Sequence, residues 1–205
     1  MLRFLLDHVD VVNAVLNGFM VLIWTAYLHI FLINHIRQSR SVIHIDIGSA
    51  KGARSRCLVT NLSPTPIYVQ GLVAELVHNG SRARTIVTER NEISEEDVQD
   101  PLARTNRGTL DPGQTVDIGS LSEIVTRARI SIGEDWSADR IDSVTITVVA
   151  IPGLSDCIVG AAKTFNAEHC AGQLRFTSDK ILTDQLRPRQ TRRHFSHILR
   201  DQTQG

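Results

Sequence analysis

His44 and Asp46 stand two residues apart in the run Val42-Ile43-His44-Ile45-Asp46-Ile47. On an extended strand that spacing puts both side chains on one face. An imidazole beside a carboxylate could act as a general base and its orienter; a polar strand face is the plainer account. Cys157, His169 and Cys170 are three soft donors, but they lack the close cysteine spacing of structural zinc sites. His194 and His197, three apart, lie in an arginine-rich stretch where a solvated face accounts for them. Gly48-Ser49-Ala50-Lys51-Gly52 is too short for a phosphate-binding loop and lacks its G-K-[ST] ending. No G-x-S-x-G elbow is present to suggest a hydrolase. The expectation is therefore no catalytic residue, no cofactor and no metal ligand.

Binding chemistry is better represented. Arg187, Arg189, Arg192, Arg193 and Arg200 crowd the C-terminal end, with Phe195, Ile198 and Leu199 able to share one side of a short helical turn. Basic residues near a membrane gain roughly 1 kcal/mol each from anionic lipid, and an amphipathic segment can lie on the surface. The other accounts are an acidic surface of a partner, the chain's own acidic stretch Glu89 to Asp100, or a solvated tail. Asn13, Asn17 and Trp24 are the second set. They fall on one face of an apolar segment, with Ala14, Gly18 and Thr25 on another. An amide in lipid needs a partner, and small residues permit close helix approach, so these residues point to helix association with a second copy or another membrane protein.

The element that must position them is Val11 to Ile33, VVNAVLNGFMVLIWTAYLHIFLI, without one Asp, Glu, Lys or Arg. Roughly 20 apolar helical residues cross a bilayer, and only a helix satisfies its own backbone there. A cleaved signal wants a basic start, a shorter apolar core and a small-residue cleavage site. MLRFLLDHVD before the segment and NHIRQSRSV after it supply neither start nor site. An uncleaved single-pass anchor is expected. Arg3 precedes it, whereas Arg37, Arg40, Lys51 and Arg54 follow it, which by the positive-inside rule places the C-terminal domain in the cytoplasm. The small size and absent sorting motifs suit a bacterial inner membrane. Three cysteines without close spacing imply no disulfide framework.

Past residue 40 the chain has 165 residues, 19 basic and 20 acidic, one ordinary domain. That balance disfavours a nucleic-acid partner. Here the period changes from helical to two. Strands are expected at Val42–Ile47, Cys57–Asn61, Ile67–Val77, Arg82–Thr88, Val144–Ala150, Cys157–Phe165 and Gln173–Thr177. Gly71 is a candidate bulge, and Asn79-Gly80 is a strong hairpin signal because both central residues take positive φ. Ser120 to Arg129 fits a short helix with Leu121, Ile124 and Val125 on one face. Ser94 before Glu95-Glu96-Asp97 resembles an N-cap of another.

The segments NLSPTPIYVQGLVAEL and LDPGQTVDI (Leu110 to Ile118) resemble the middle of an immunoglobulin-like sandwich. There a strand ends at a polar Asn, a Pro-containing turn follows, and a later L-x-P-G turn opens an edge strand. The resemblance implies a fold and no function, because such sandwiches host many. The resulting expectation is a mainly β chain. An immunoglobulin-like antiparallel sandwich spans 41–182, preceded by one transmembrane helix and juxtamembrane segment over 1–40 and followed by a basic tail over 183–205. The function expected is that of an accessory or scaffold protein at the membrane. The rival is a membrane-tethered enzyme or small-ligand sensor with its site in the sandwich loops.

Overall fold

The computed structural model describes residues 9–38, 40–48, 55–87, 105–132, 136, 141–153, 158–170 and 173–186. The chain divides into two compact units, Met1–Arg40 and Ser41–Gly205. The first holds α1 (Val9–Gln38). Its 30 residues make a rod about 45 Å long, more than the ~30 Å hydrocarbon thickness of a bilayer. Val9–Ile36 has a mean hydropathy of 1.8 with none of it buried. By length and composition this helix can cross a membrane.

The second unit is built from ten antiparallel strands and one helix among the described residues. These are β1 (Ile43–Gly48), β2 (Arg56–Asn61), β3 (Ile67–His78), β4 (Ser81–Ile86), β5 (Gly108–Leu110), β6 (Thr115–Ser120), α2 (Leu121–Ile132), β7 (Ser143–Pro152), β8 (Val159–Cys170), β9 (Gln173–Thr177) and β10 (Asp184–Leu186). One sheet has the order β1-β2-β6. The other runs β10-β8-β7-β3-β4, with β5 on β3 and β9 on β8. Two long strands organise the larger sheet. β3 pairs β5 through its first residues and β4 through its last; β8 pairs β10 and then β9 in the same way.

The alternation of apolar residues turns one face of each sheet inward. Ile43, Ile45, Cys57 and Val59 from the small sheet meet Leu72, Leu76, Val144, Ile146, Val148 and Phe165 from the large one, all buried. α2 adds Leu121, Ile124, Val125 and Ala128 from one stripe and packs on β3, β4 and β6. It begins at a capping box. Glu123 N donates to Ser120 Oγ at 3.3 Å, and Ser120 N donates to Glu123 Oε2 at 3.2 Å.

The expected turn chemistry is present. β3 and β4 meet at His78↔Ser81, and Asn79 and Gly80 have φ of 48° and 80°, the signature of a type I′ turn. Asp142 Oδ2 accepts from Asn79 N at 2.7 Å and fixes that turn to the start of β7. Register slips between Val69 and Gly71 on β3, so the bulge lies where Gly71 marked it. β5, β6 and β10 exceed the strands drawn from the period alone. β10 falls inside the stretch read as tail, so the folded domain continues to Leu186.

Candidate functional site

The polar feature with the most converging side chains is a seam along the outer edge of β1. β1 pairs β2 on one side only, so Ile43 and Ile45 offer their remaining N–H and C=O groups outward. Side chains from the segment before and within β10 meet them. Gln185 Oε1 accepts from Ile43 N at 3.1 Å and Gln185 Nε2 donates to Ile43 O at 2.6 Å. Thr183 Oγ1 accepts from Ile45 N at 2.8 Å and lies 3.2 Å from Ile45 O. A carboxamide and a hydroxyl thus imitate the ladder that an edge strand lacks.

His44 and Asp46 do share one face, as their spacing predicts, and the structure adds Lys163 and Thr183. Lys163 projects inward from β8 between Ala161 and Phe165 with a side chain only 4% exposed. Its ammonium is 3.1 Å from Asp46 Oδ1 and 3.3 Å from the Ile181 carbonyl. It also stands 5.9 Å from the centre of the Phe165 ring. Partial burial pushes the Asp46 carboxyl up. The N–H of Ile47, the Lys163 ammonium and His44 outweigh that effect and hold it below the usual carboxylate range.

Asp46, His44 and Thr183 have the composition of a nucleophilic triad, but their geometry does other work. Asp46 Oδ2 is 3.9 Å from His44 Nε2, too far for the orienting hydrogen bond. Thr183 Oγ1 stands 3.2 Å from His44 Nδ1, yet it is buried and committed to both backbone groups of Ile45. The cluster ties β1 to β8 and β10. Lys163 is the member that sequence reasoning missed. Its signal is a lone cation at an inward position of VGAAKTF.

A second polar centre stitches together the two segments that carry the sandwich resemblance. Asn61, fully buried, donates from Nδ2 to Thr65 O at 3.0 Å and Leu110 O at 2.9 Å, and accepts from Ser63 N at 2.9 Å. Its backbone accepts from Gly113 N at 2.7 Å and donates to Gln114 O at 3.0 Å. Gln114 N closes the Asp111-Pro112-Gly113 turn on Asp111 O at 2.9 Å. The φ of Gly113 is 78°, the positive value that a type II turn requires at its second central position, after Pro112 at the first.

In α1, Asn13, Asn17 and Trp24 are all exposed. Trp24 meets Tyr27 edge-on at 6.2 Å, and Phe31 stacks on His35 at 6.1 Å. Arg187, Arg189, Arg192, Arg193 and Arg200 lie outside the described residues. So do the Ser94 helix, Glu89 to Asp100, residues 49–52, Cys157, His194 and His197, as well as the side chains of His169 and Cys170. Cys57 is a buried free thiol; burial and then the nearby Asp117 push its pKa far up. Asn106 is buried, and neither of its amide atoms finds a hydrogen-bond partner among the described residues. Among the described residues no group of three His, Cys, Asp or Glu could hold a metal ion.

No protein-family model matches the chain, and no curated protein matches it. Among solved structures, the crystal structure of a protein from Archaeoglobus fulgidus is similar at 10% sequence identity, over 70% of this chain and 91% of its own. Its TM-score is 0.20, and a likeness at that level carries no argument about fold or function.

Proposed function

We propose that this chain is a single-pass membrane protein with an immunoglobulin-like sandwich on the cytoplasmic side of a bacterial inner membrane. It acts as a non-enzymatic accessory or scaffold subunit that recruits or stabilises a protein partner there. The observation that carries this reading is α1, 28 residues of high hydropathy with no buried part. An apolar helix in a soluble protein hides a face in a core; one with no protein around it needs lipid. The sidedness rests on Arg37, Arg40, Lys51 and Arg54 against Arg3. Asn13, Asn17 and Trp24 supply the face for association within the bilayer, with a second copy or with another membrane protein.

Purification from membranes in mild detergent, followed by mass spectrometry, tests the proposal. A stoichiometric protein partner or a stable homo-oligomer is expected, with residues 11–33 retained. A mature chain starting near residue 40, or a partnerless monomer, overturns it. A second reading, a membrane-tethered small-ligand sensor, is favoured by Asn106. A buried amide without partners among the described residues is a group that a ligand could satisfy. A small molecule co-purifying with the wild type but not with Asn106→Leu would support that reading.

A further inference from the structure

The turn that joins β3 to β4 carries reactive groups as well as shape. Asn-Gly occurs twice in the sequence, at Asn17-Gly18 and at Asn79-Gly80. The first pair lies inside α1, the second between the paired residues His78 and Ser81. An asparagine carries its own electrophile, the amide carbon Cγ. The backbone nitrogen of the next residue is a nucleophile that can close a five-membered ring on it. Glycine leaves that nitrogen unshielded, and no atom lies within 4 Å of where a Cβ of Gly80 would stand. Asn79 and Gly80 are both exposed.

Ring closure needs the Gly80 nitrogen on the Cβ side of Asn79. The type I′ turn, with φ of 48° at Asn79 and 80° at Gly80, holds it away. Rotating the single peptide between them gives the type II′ arrangement, with Asn79 ψ near about −120° and Gly80 φ near about −80°. That rotation brings the nitrogen round to Cγ. Both turn types close the same two-residue hairpin, so the pairing of His78 with Ser81 survives it, and glycine takes either sign of φ readily. Asn17 has no such alternative, because its ψ is fixed by the hydrogen bonds of α1. His78 adds a proton donor. Its Nε2 is 3.2 Å from Asn79 Nδ2, and its ring packs against Trp136 at 5.5 Å between centres.

We propose that Asn79-Gly80 is a self-modification site that loosens the β3–β4 corner irreversibly. The Gly80 nitrogen bonds to Asn79 Cγ and releases its proton to water. The Cγ–Nδ2 bond breaks, and ammonia leaves with a proton from His78, which water replaces. Water then opens the succinimide at either carbonyl and gives aspartate or isoaspartate. Either product sets a carboxylate beside that of Asp142, which holds Asn79 N at 2.7 Å. Isoaspartate also lengthens the backbone of the turn by one methylene. The hairpin is thereby weakened where it is tied to the start of β7.

The test is timed ageing of the full chain in mild detergent, followed by peptide mapping with mass spectrometry. Each event exchanges an amino group for a hydroxyl. Conversion is expected at Asn79 at least about tenfold faster than at Asn17, where helix hydrogen bonds must first break. The products should include isoaspartate, which only the succinimide yields. His78→Phe should slow conversion on the order of tenfold. In the converted protein the β4 amides should exchange with solvent on the order of tenfold faster, through weakening of the charged bond at Asp142. Asn79→Gly keeps the turn and cannot react, so ageing should leave its β4 amides unchanged. Aspartate without isoaspartate means direct hydrolysis and overturns the proposal. An intact Asn79, under ageing that converts an unstructured Asn-Gly peptide, overturns it too, as does equal conversion at Asn17. Loosening of β4 in aged Asn79→Gly would show that the effect arises elsewhere, and an unchanged rate in His78→Phe would remove the imidazole from the reaction.

Discussion

Replacing Asn61 with alanine should unravel one corner of the sandwich. The carboxamide makes three hydrogen bonds of 2.9–3.0 Å, to Thr65 O, Leu110 O and Ser63 N, the last two buried. Alanine keeps the backbone bonds to Gly113 and Gln114 but orphans all three partners. A buried group left unpaired costs about 1–3 kcal/mol, and the half-buried Thr65 carbonyl can recover water. Taking about 1.5 kcal/mol for each buried partner and under 1 for Thr65 gives a loss of roughly 4 kcal/mol. In a domain of this size each kcal/mol lowers Tm by about 2–4 °C, so a fall near 12 °C is expected. Thermal unfolding of the full chain in mild detergent, followed by far-ultraviolet circular dichroism, measures it against the constant signal of α1. Asn61→Asp sharpens the test. Its carboxylate still accepts from Ser63 N but faces two carbonyls with no proton to donate. The introduced carboxyl is therefore held above its ordinary pKa of about 3.9. A raised carboxyl pKa favours folding only while the group is protonated. Asn61→Asp should thus match Asn61→Ala in acid and fall behind it as pH rises above about 4. If both variants melt within about 2 °C of the wild type, less than 1 kcal/mol, the corner is held by something other than Asn61.

Three further outcomes follow from the same structure. Asn79→Val should cost about 1–3 kcal/mol, because a β-branched residue resists the φ of 48°, whereas Asn79→Gly should be tolerated; equal melting temperatures for the two would refute the turn assignment. Asp46→Ala should destabilise more than Lys163→Met, by about 2 kcal/mol, since the first strands a buried ammonium and the second leaves a carboxylate that is 60% exposed to water; urea titration decides, and the reverse order would show that Lys163 gains nothing from its partner. Because the Asp46 pKa is lowered on folding, its contribution is present at neutral pH and lost as pH falls through that lowered value, and Lys163→Met should flatten this acid limb. Cys57 has a raised pKa, so its contribution to stability is full below the free thiol value of about 8.5 and declines at higher pH as the unfolded chain ionises; Cys57→Ala should remove that part of the alkaline slope, and iodoacetamide should reach Cys57 only after unfolding.

Much of the architecture is legible in local chemistry. The long apolar helix α1 declares itself because 23 residues without an Asp, Glu, Lys or Arg are long and apolar enough to cross a bilayer. The β3–β4 hairpin declares itself because Asn-Gly is the dipeptide that a type I′ turn demands. α2 is legible through the spacing of Leu121, Ile124 and Val125, which the structure buries together with Ala128. Its capping box, Ser120 with Glu123, carries a sequence signal as clear as the one at Ser94. The short strands β5 and β10 are not legible. Three residues are too few to establish a period of two, and each forms only because a long strand already stands beside it, β3 for Gly108–Leu110 and β8 for Asp184–Leu186.

The seam is the hardest part to read, for a physical reason. Hydrophobic periodicity reports which face of a strand is buried, and it is silent about what lies along the strand's edge. The edge of β1 is satisfied by Thr183 and Gln185, about 140 residues away in sequence, through side chains whose polarity alone argues for solvent. Lys163 is hidden in the same way. A cation between Ala161 and Phe165 contradicts the inward pattern of its strand until Asp46 and the Ile181 carbonyl are placed beside it. Such exceptions to patterning survive only where the surrounding structure satisfies them fully. Here they fix Thr183 and Gln185, at and just before β10, against the first strand, and so close an edge that the ladder leaves open.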